Sequence, residues 1–339
     1  MDIVFVHLNT SVPKYLQFNL ETTISRFPEH RVILLHNKSV KVPKISNLLS
    51  YEVAEDSRWR RLSDLYDHPK DFRGNFWLTS SARLFAIEAY LQKENSEVLH
   101  VESDVILSPD FPFSNFRKIE KRLAFPLISD SRGVASIVYV RDKFAAAILT
   151  STLISEAEKN PQTTEMLSLR VVYERNFDKV QILPIGPEGV RSYRNIESVM
   201  VSKFSEGLRI FNGVFDGVEI GQFFTGTDPR NRRGKILLRH DLVDGYLNVN
   251  ELEVLFDSDR QFINIRTKKN FNSCSPIFAL HVPVKQTRFF KKTSQARKLN
   301  RIARESRRRK TIKLSFPVLI KSALLSFNRR VKKLSGSTT

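Results

Sequence analysis

The apolar positions of this chain change period along its first half. Met1-Asp2-Ile3-Val4-Phe5-Val6 is a near-continuous apolar start, and Asp2 to His7 reads as a buried strand. Leu16, Leu20, Ile24 and Phe27 then recur at steps of four, four and three. That spacing gives one apolar face to a helix opening at Val12-Pro13-Lys14 and running to about Phe27. Arg31 to His36 returns to a strand pattern, followed by Asn37-Lys38. A strand–helix–strand start favours a parallel sheet.

The alternation continues. Phe76 to Gln92 predicts a long helix, and Val98 to Leu107 a strand directly after it. Leu123-Ala124-Phe125-Pro126 and Ala135 to Val140 predict two more strands, and Asp142 to Lys159 a helix stopped by Asn160-Pro161. Thr163 or Thr164 is placed to cap another helix reaching about Arg175. Val180 to Leu183 predicts a strand stopped by Pro184. Gly213 to Asn231 is rich in Gly and Asp and reads as a loop, and Ile277 to His281 as a last short strand.

One of these strands is chemically odd. Val98-Leu99-His100-Val101-Glu102-Ser103-Asp104-Val105-Ile106-Leu107 carries two carboxylates in an otherwise apolar, β-branched run. Burying carboxylates is costly unless a cation compensates. On a regular strand Glu102 and Asp104, at i and i+2, point to the same side. At a strand end both could meet one hard cation. The plain alternative is a strand that ends in a polar turn, with Ser108-Pro109-Asp110 as its exit. His100 shares the parity of Glu102 but lies deeper, and is read as structural.

Composition narrows the setting. With 339 residues, 41% hydrophobic and 27% charged, the chain has globular proportions and can bury a sizeable core. Its lone Cys274 excludes an internal disulfide and any multi-cysteine metal site, and fits a reducing compartment. The start has no basic region of the kind a signal peptide carries, and no run of 18 apolar residues is present. A cytoplasmic protein is the expectation.

The net charge of +19 is placed unevenly. From Gln286 to Thr339 there are 17 Lys/Arg and one acid, Glu305, while residues 1–285 carry only +3. Basicity is therefore a property of the tail. Arg307-Arg308-Arg309-Lys310 precedes Leu314, Phe316, Val318, Leu319, Ile320, Leu324, Leu325 and Phe327, and Arg329-Arg330 and Lys332-Lys333 follow. Apolar residues bracketed by bases suit an interfacial segment on an anionic membrane. The expectation is a body of 1–285 and a membrane-associating tail of 286–339, peripheral on the inner membrane face. The aliphatic clusters, and the lack of any nucleic-acid motif in the body, argue against a nucleic-acid partner.

Neither G-x-G-x-x-G nor a phosphate loop ending in Gly-Lys-Ser/Thr is present. Phosphate binding would then need a metal instead of a glycine-rich turn. With the acid pair at the C-terminal end of a strand, where open α/β sheets bind ligands, the chain resembles the nucleotide-sugar glycosyltransferases of the GT-A fold. Glu102-Ser103-Asp104 looks like their D-x-D motif, with Glu in the first place. The resemblance covers roughly residues 1–285. It implies an α/β, Rossmann-like fold: a mixed, mostly parallel sheet flanked by helices.

The resemblance also implies roles. Glu102 and Asp104 would hold Mn²⁺ or Mg²⁺ against the diphosphate of a nucleotide-sugar donor, with Ser103 beside them. Ala279-Leu280-His281-Val282-Pro283-Val284-Lys285 resembles the family's late His…Lys element, in which the His completes the metal shell and the Lys contacts phosphate. Leu8, Asn9 and Thr10 follow the first strand, where the nucleotide is received. Arg83, in Trp77-Leu78-Thr79-Ser80-Ser81-Ala82-Arg83-Leu84, matches a basic residue that faces the donor. Glu165-Met166 fits an acid-Met pair near the acceptor, which makes Glu165 the candidate general base. Asp216 and Asp228, beside Gly217 and Pro229, read as turn residues within a segment similar to bacterial glycosyltransferase-like proteins.

The function expected is metal-dependent transfer of a sugar to a glycan or lipid-linked acceptor. A sugar-nucleotide pyrophosphorylase-like nucleotidyltransferase is the enzymatic alternative, but Leu8-Asn9-Thr10-Ser11 lacks the glycines that class carries there. A non-enzymatic basic nucleic-acid or membrane-binding protein is the other alternative. It leaves the acidic strand and His281 without a purpose.

Overall fold

The computed structural model describes residues 1–9, 11–70, 72, 74–189, 192–193, 196–226, 245–268 and 274–308. Its first unit follows the predicted alternation: β1 (Asp2–His7), α1 (Lys14–Arg26), β2 (Val32–His36) and β3 (Leu48–Glu52), the three strands pairing in parallel. Helices α2 (Ser57–Leu65) and α3 (Phe76–Lys93) come next. Asp56 caps α2 by accepting from the Trp59 amide at 2.7 Å. The strand β3 and helix α2 are not expected from the pattern. Only two of the nine residues of α2, Trp59 and Leu62, are buried, so its apolar stripe is too thin to read.

The acid-bearing run is two strands, not one. β4 (Val98–Val101) lies parallel to β1 in the main sheet, whereas β5 (Val105–Leu107) pairs antiparallel with a strand near the C-terminus. Glu102 to Asp104 form the turn between them, closed by the Val105 amide on the Glu102 carbonyl at 3.0 Å. The strand periodicity expected for the acid pair is thus corrected. The chain leaves one sheet for another at that point, and β-branched residues on both sides hide the break.

Helix α4 (Phe113–Lys118), strands β6 (Leu123–Ser129), β7 (Arg132–Gly133) and β8 (Ile137–Val140), and helix α5 (Lys143–Lys159) follow. Asp142 caps α5 through the Ala145 amide at 2.9 Å. Helix α6 (Glu165–Arg175) is capped by Thr164, one of the two threonines expected to do so. After β9 (Val180–Leu183) come α7 (Ser198–Phe211), β10 (Val214–Phe215) and α8 (Glu219–Thr225). The segment read as a loop from Gly213 is therefore partly regular, as far as its described residues go.

The main sheet has eight strands in the order β3-β2-β1-β4-β8-β6-β7, with β9 added beside β6. It is mixed and mostly parallel, with helices packed on it, as expected. A second sheet comprises β10, β5, β11 (Leu252–Asp257), β12 (Phe262–Thr267) and β13 (Ser275–His281). The Glu102–Asp104 turn and the end of β13 meet where the two sheets touch: the Val282 amide donates to the Asp104 carbonyl at 2.7 Å.

The expected boundary at residue 286 is not where the folded body ends. Phe289 and Phe290 are buried, and the Thr22 hydroxyl donates to the Phe290 carbonyl at 2.7 Å. Helix α9 (Lys292–Arg308) buries Leu299, Ile302 and Ala303, and the Ser306 hydroxyl donates to the Val254 carbonyl at 3.0 Å. Charge hid this from the sequence. One apolar residue every three or four is enough for docking even where most other positions are basic. The later tail, from residue 309, lies outside the described residues.

Candidate active site

β1 and β4 run parallel with Val4 opposite His100, so Glu102 emerges at the C-terminal edge where β1 also ends. Leu8 and Asn9 sit at that edge. Leu8 packs on the core and its carbonyl accepts from the Asn37 side chain at 3.0 Å, while Asn9 is exposed. Thr10 and Asp228 lie outside the described residues.

The turn between β4 and β5 is clamped from α1. Asn19 Nδ2 reaches the carbonyls of Ser103 at 3.2 Å and Val105 at 2.7 Å. Tyr15 lies 3.4 Å from the Ser103 hydroxyl. With its backbone held, the turn presents Glu102 and Asp104 toward β13.

There the two carboxylates meet His281. Its Nε2 lies 3.4 Å from Asp104 Oδ1 and 3.7 Å from Glu102 Oε2. Its Nδ1 lies 3.0 Å from the Gly217 carbonyl, which fixes the ring so that Nε2 faces the acids. Asp216, expected as a turn residue, has a defined structural task. Its carboxylate accepts from the amides of Ile220 at 3.0 Å, Gly221 at 2.7 Å and His281 at 3.1 Å. It ties α8 to the end of β13. Burial pushes its pKa up to about 6, against those hydrogen bonds and the His281 charge. Gly221 makes the approach possible: a Cβ there would fall 1.5 Å from the His281 carbonyl oxygen.

Charges of opposite sign alternate through the site. Lys285 Nζ lies 3.2 Å from Asp104 Oδ2. On the other side Arg83 forks between Glu102 and Glu165, its Nη2 3.5 Å from Glu165 Oε1. The sequence runs Lys285, Asp104, His281, Glu102, Arg83, Glu165. Every sequence-predicted charged residue joins this one chain, and Ser103 lies in the turn beneath it. The Ser81 hydroxyl donates to Glu165 at 3.4 Å and lies 2.7 Å from the Tyr66 hydroxyl. Ser81, Tyr66, Asn19 and Tyr15 went unrecognised because a lone Ser, Asn or Tyr on an amphipathic helix carries no pattern of its own.

The electrostatics follow from burial against neighbours. Burial opposes ionising Asp104, but the Lys285 and His281 charges prevail and hold its carboxyl well below the usual range. Burial likewise opposes Glu102, and Arg83 and His281 outweigh it. For His281 burial disfavours the charged ring, yet Asp104 and Glu102 raise its pKa to about 9. Glu165 differs: burial dominates over Arg83 and raises its pKa. His100 is buried with Nδ1 3.1 Å from the Val4 carbonyl, and burial pushes its pKa down to about 3, in keeping with a structural role.

Ligand atoms of Glu102, Asp104 and His281 all lie within 4.8 Å of one another, and they form the metal-compatible acid–histidine group among the described residues. The two carboxylate oxygens suit a hard cation such as Mn²⁺ or Mg²⁺, and the imidazole nitrogen favours the transition metal Mn²⁺ over Mg²⁺.

No family model and no curated protein matches the chain. Solved structures do resemble it. The galactosyltransferase LgtC in complex with donor and acceptor sugar analogues is 13% identical, matching 94% of this chain and 99% of its own at a TM-score of 0.44. Mouse xyloside xylosyltransferase 1 in its apo form is 6% identical, over 62% of this chain and 92% of its own, at 0.38. The apo glycosyltransferase GlyE of Streptococcus pneumoniae TIGR4 is 16% identical, over 54% of this chain and 44% of its own, at 0.37. At such scores the functional reading rests on the side chains.

Proposed function

We propose that this chain is a glycosyltransferase of the GT-A type. It would move a sugar from a nucleotide-diphosphate donor to a glycan or lipid-linked acceptor, with Mn²⁺ or Mg²⁺ held by Glu102, Asp104 and His281. The observation that carries this reading is the convergence of those three residues at the edge where β1 and β4 end, with Lys285 and Arg83 flanking them.

When bound, the cation would supply charge neutralisation for the diphosphate leaving group. The chain's own residues divide the remaining work. Asp216 and Gly217 orient His281. Arg83 holds Glu102 and Lys285 holds Asp104, and both bases would supply positive charge to phosphate oxygens of a bound donor. Leu8, Asn9 and Thr10 would receive the nucleotide, and Ser103 would lie under its phosphates. Glu165 is the candidate base. Its raised pKa makes it a better proton acceptor than an ordinary glutamate, and it sits one guanidinium away from Glu102.

No helix among the described residues is long and apolar enough to cross a membrane. Within this proposal the basic, apolar-clustered C-terminal chain places the enzyme on the inner, anionic membrane face, where a lipid-linked acceptor would lie.

The test is a panel of nucleotide sugars with and without Mn²⁺, read by thermal stabilisation and by release of nucleoside diphosphate. One donor should stabilise the protein and turn over only with the cation. No stabilisation by any donor, or stabilisation by a nucleoside triphosphate with sugar phosphate instead, would contradict it.

A further inference from the structure

Helix α9 carries its charges in an ordered way. Gln295, Leu299, Ile302, Ala303 and Ser306 are buried against the body. Arg297, Arg301 and Arg304 are exposed and recur at steps of four and three, which puts them on the opposite side of the helix. Lys291, Lys292 and Arg288 are exposed at its beginning. Glu305, the lone acid from residue 286 to the C-terminus, accepts from Arg301 Nε at 2.8 Å, so the stripe keeps a net positive charge through Arg297 and Arg304. The cations crowd one another: burial, Arg288 and Arg301 together push the Lys298 ammonium below its ordinary range.

We infer that the outward Arg297–Arg301–Arg304 stripe of α9 is a folded docking face for an anionic lipid surface. This extends the membrane part of the reading above and makes it independent of the later tail alone. The helix has already spent its apolar side on the protein, so what it offers outward is electrostatic attraction without insertion. The residues just beyond it decide for lipid over nucleic acid. Residues 309–339 interleave bases with Leu314, Phe316, Val318, Leu319 and Ile320, which gain from a hydrocarbon boundary and nothing from a polyphosphate.

The face is joined to the site by side-chain packing. Phe290, just before α9, packs on Tyr15 with ring centroids 5.5 Å apart, and Lys285 Nζ lies 5.6 Å from the same Tyr15 ring. A surface held by α9 is therefore linked through Tyr15 to Lys285, one of the two bases proposed to meet donor phosphate.

The experiment is co-sedimentation of the full chain with phosphatidylcholine vesicles, with and without phosphatidylglycerol. The triple variant Arg297→Gln/Arg301→Gln/Arg304→Gln should bind the anionic vesicles roughly 100-fold more weakly. Lysine at the same three positions should keep the binding, which separates lost charge from lost folding. Removing three exposed bases elsewhere, by Lys44→Gln, Arg60→Gln and Lys118→Gln, should change binding less than about threefold. Undiminished binding by the glutamine triple variant overturns the docking face and leaves the tail as the anchor. Equal losses in the two charge-removal variants overturn it as well. Failure of the unaltered chain to bind anionic vesicles, or tighter binding to duplex DNA, overturns the membrane reading itself, and leaves sugar transfer to its own test.

Discussion

His281 Nε2 lies 3.4 Å from Asp104 Oδ1, while the opposite ring nitrogen is held 3.0 Å from the Gly217 carbonyl. In the absence of a cation this is a charged pair. The raised pKa of about 9 means that the ring carries a proton at neutral pH. A cation entering the site has to displace that proton. At pH 7.5, titration with Mn²⁺ in two buffers of different ionisation enthalpy should show about one proton released per ion bound. Zero protons released would place the ion elsewhere.

The same pair sets a stability trend for the cation-free protein. The folded pKa of His281 is raised above its ordinary 6.5 to about 9. Its contribution is therefore complete below pH 6.5 and is lost as pH rises through 9. Thermal midpoints in chelator should fall across that window more steeply for the unaltered protein than for His281→Gln.

Glu165→Gln should lower kcat about 100-fold or more and leave cation affinity nearly unchanged, because only the proton-accepting group is removed. In the unaltered protein, kcat should fall on acidification at a pH above the ordinary glutamate range, since burial favours the protonated acid. A variant with full kcat would return Glu165 to a structural pairing with Arg83.

Gly221→Ala tests the coupling of α8 to β13. The new methyl would meet the His281 carbonyl, and the backbone has to move. Overpacking of this kind costs about 1–3 kcal/mol, or more when backbone is struck. Denaturant titration should show that loss, and cation affinity should fall with it, because the shift acts on His281. A loss of stability with unchanged cation affinity would uncouple the two.

Phe290→Ala tests where the body ends. The ring is fully buried between Tyr15 and the start of α9, so its removal should destabilise the protein by about 3–5 kcal/mol. A loss under about 1 kcal/mol would restore a boundary near residue 286.

The strand–helix alternation is legible because short, largely apolar runs such as Asp2–His7 and Val180–Leu183 need no tertiary context. Glu102 and Asp104 stand out in the sequence as carboxylates in an apolar run, whereas His281 and Lys285 enter as candidates only through the resemblance to the late His…Lys element of GT-A enzymes. The turn at Glu102–Asp104 was not legible, since it depends on β5 joining a sheet whose central strand lies far along the chain. The alternating chain of charges was equally hidden. It needs α3, α6 and β13 in one place, and no spacing in the sequence relates Arg83 to Glu165 or Asp104 to Lys285. Helix α9 was masked by its own bases.

The most direct measurement compares the unaltered protein with Asp104→Asn, using the best donor and Mn²⁺. Calorimetric titration gives cation affinity, and nucleotide release gives turnover. The variant should remain folded, bind the cation at least about tenfold more weakly, and lose nearly all turnover. Full turnover in Asp104→Asn, or in the unaltered protein with excess chelator, would contradict a cation held by Glu102, Asp104 and His281.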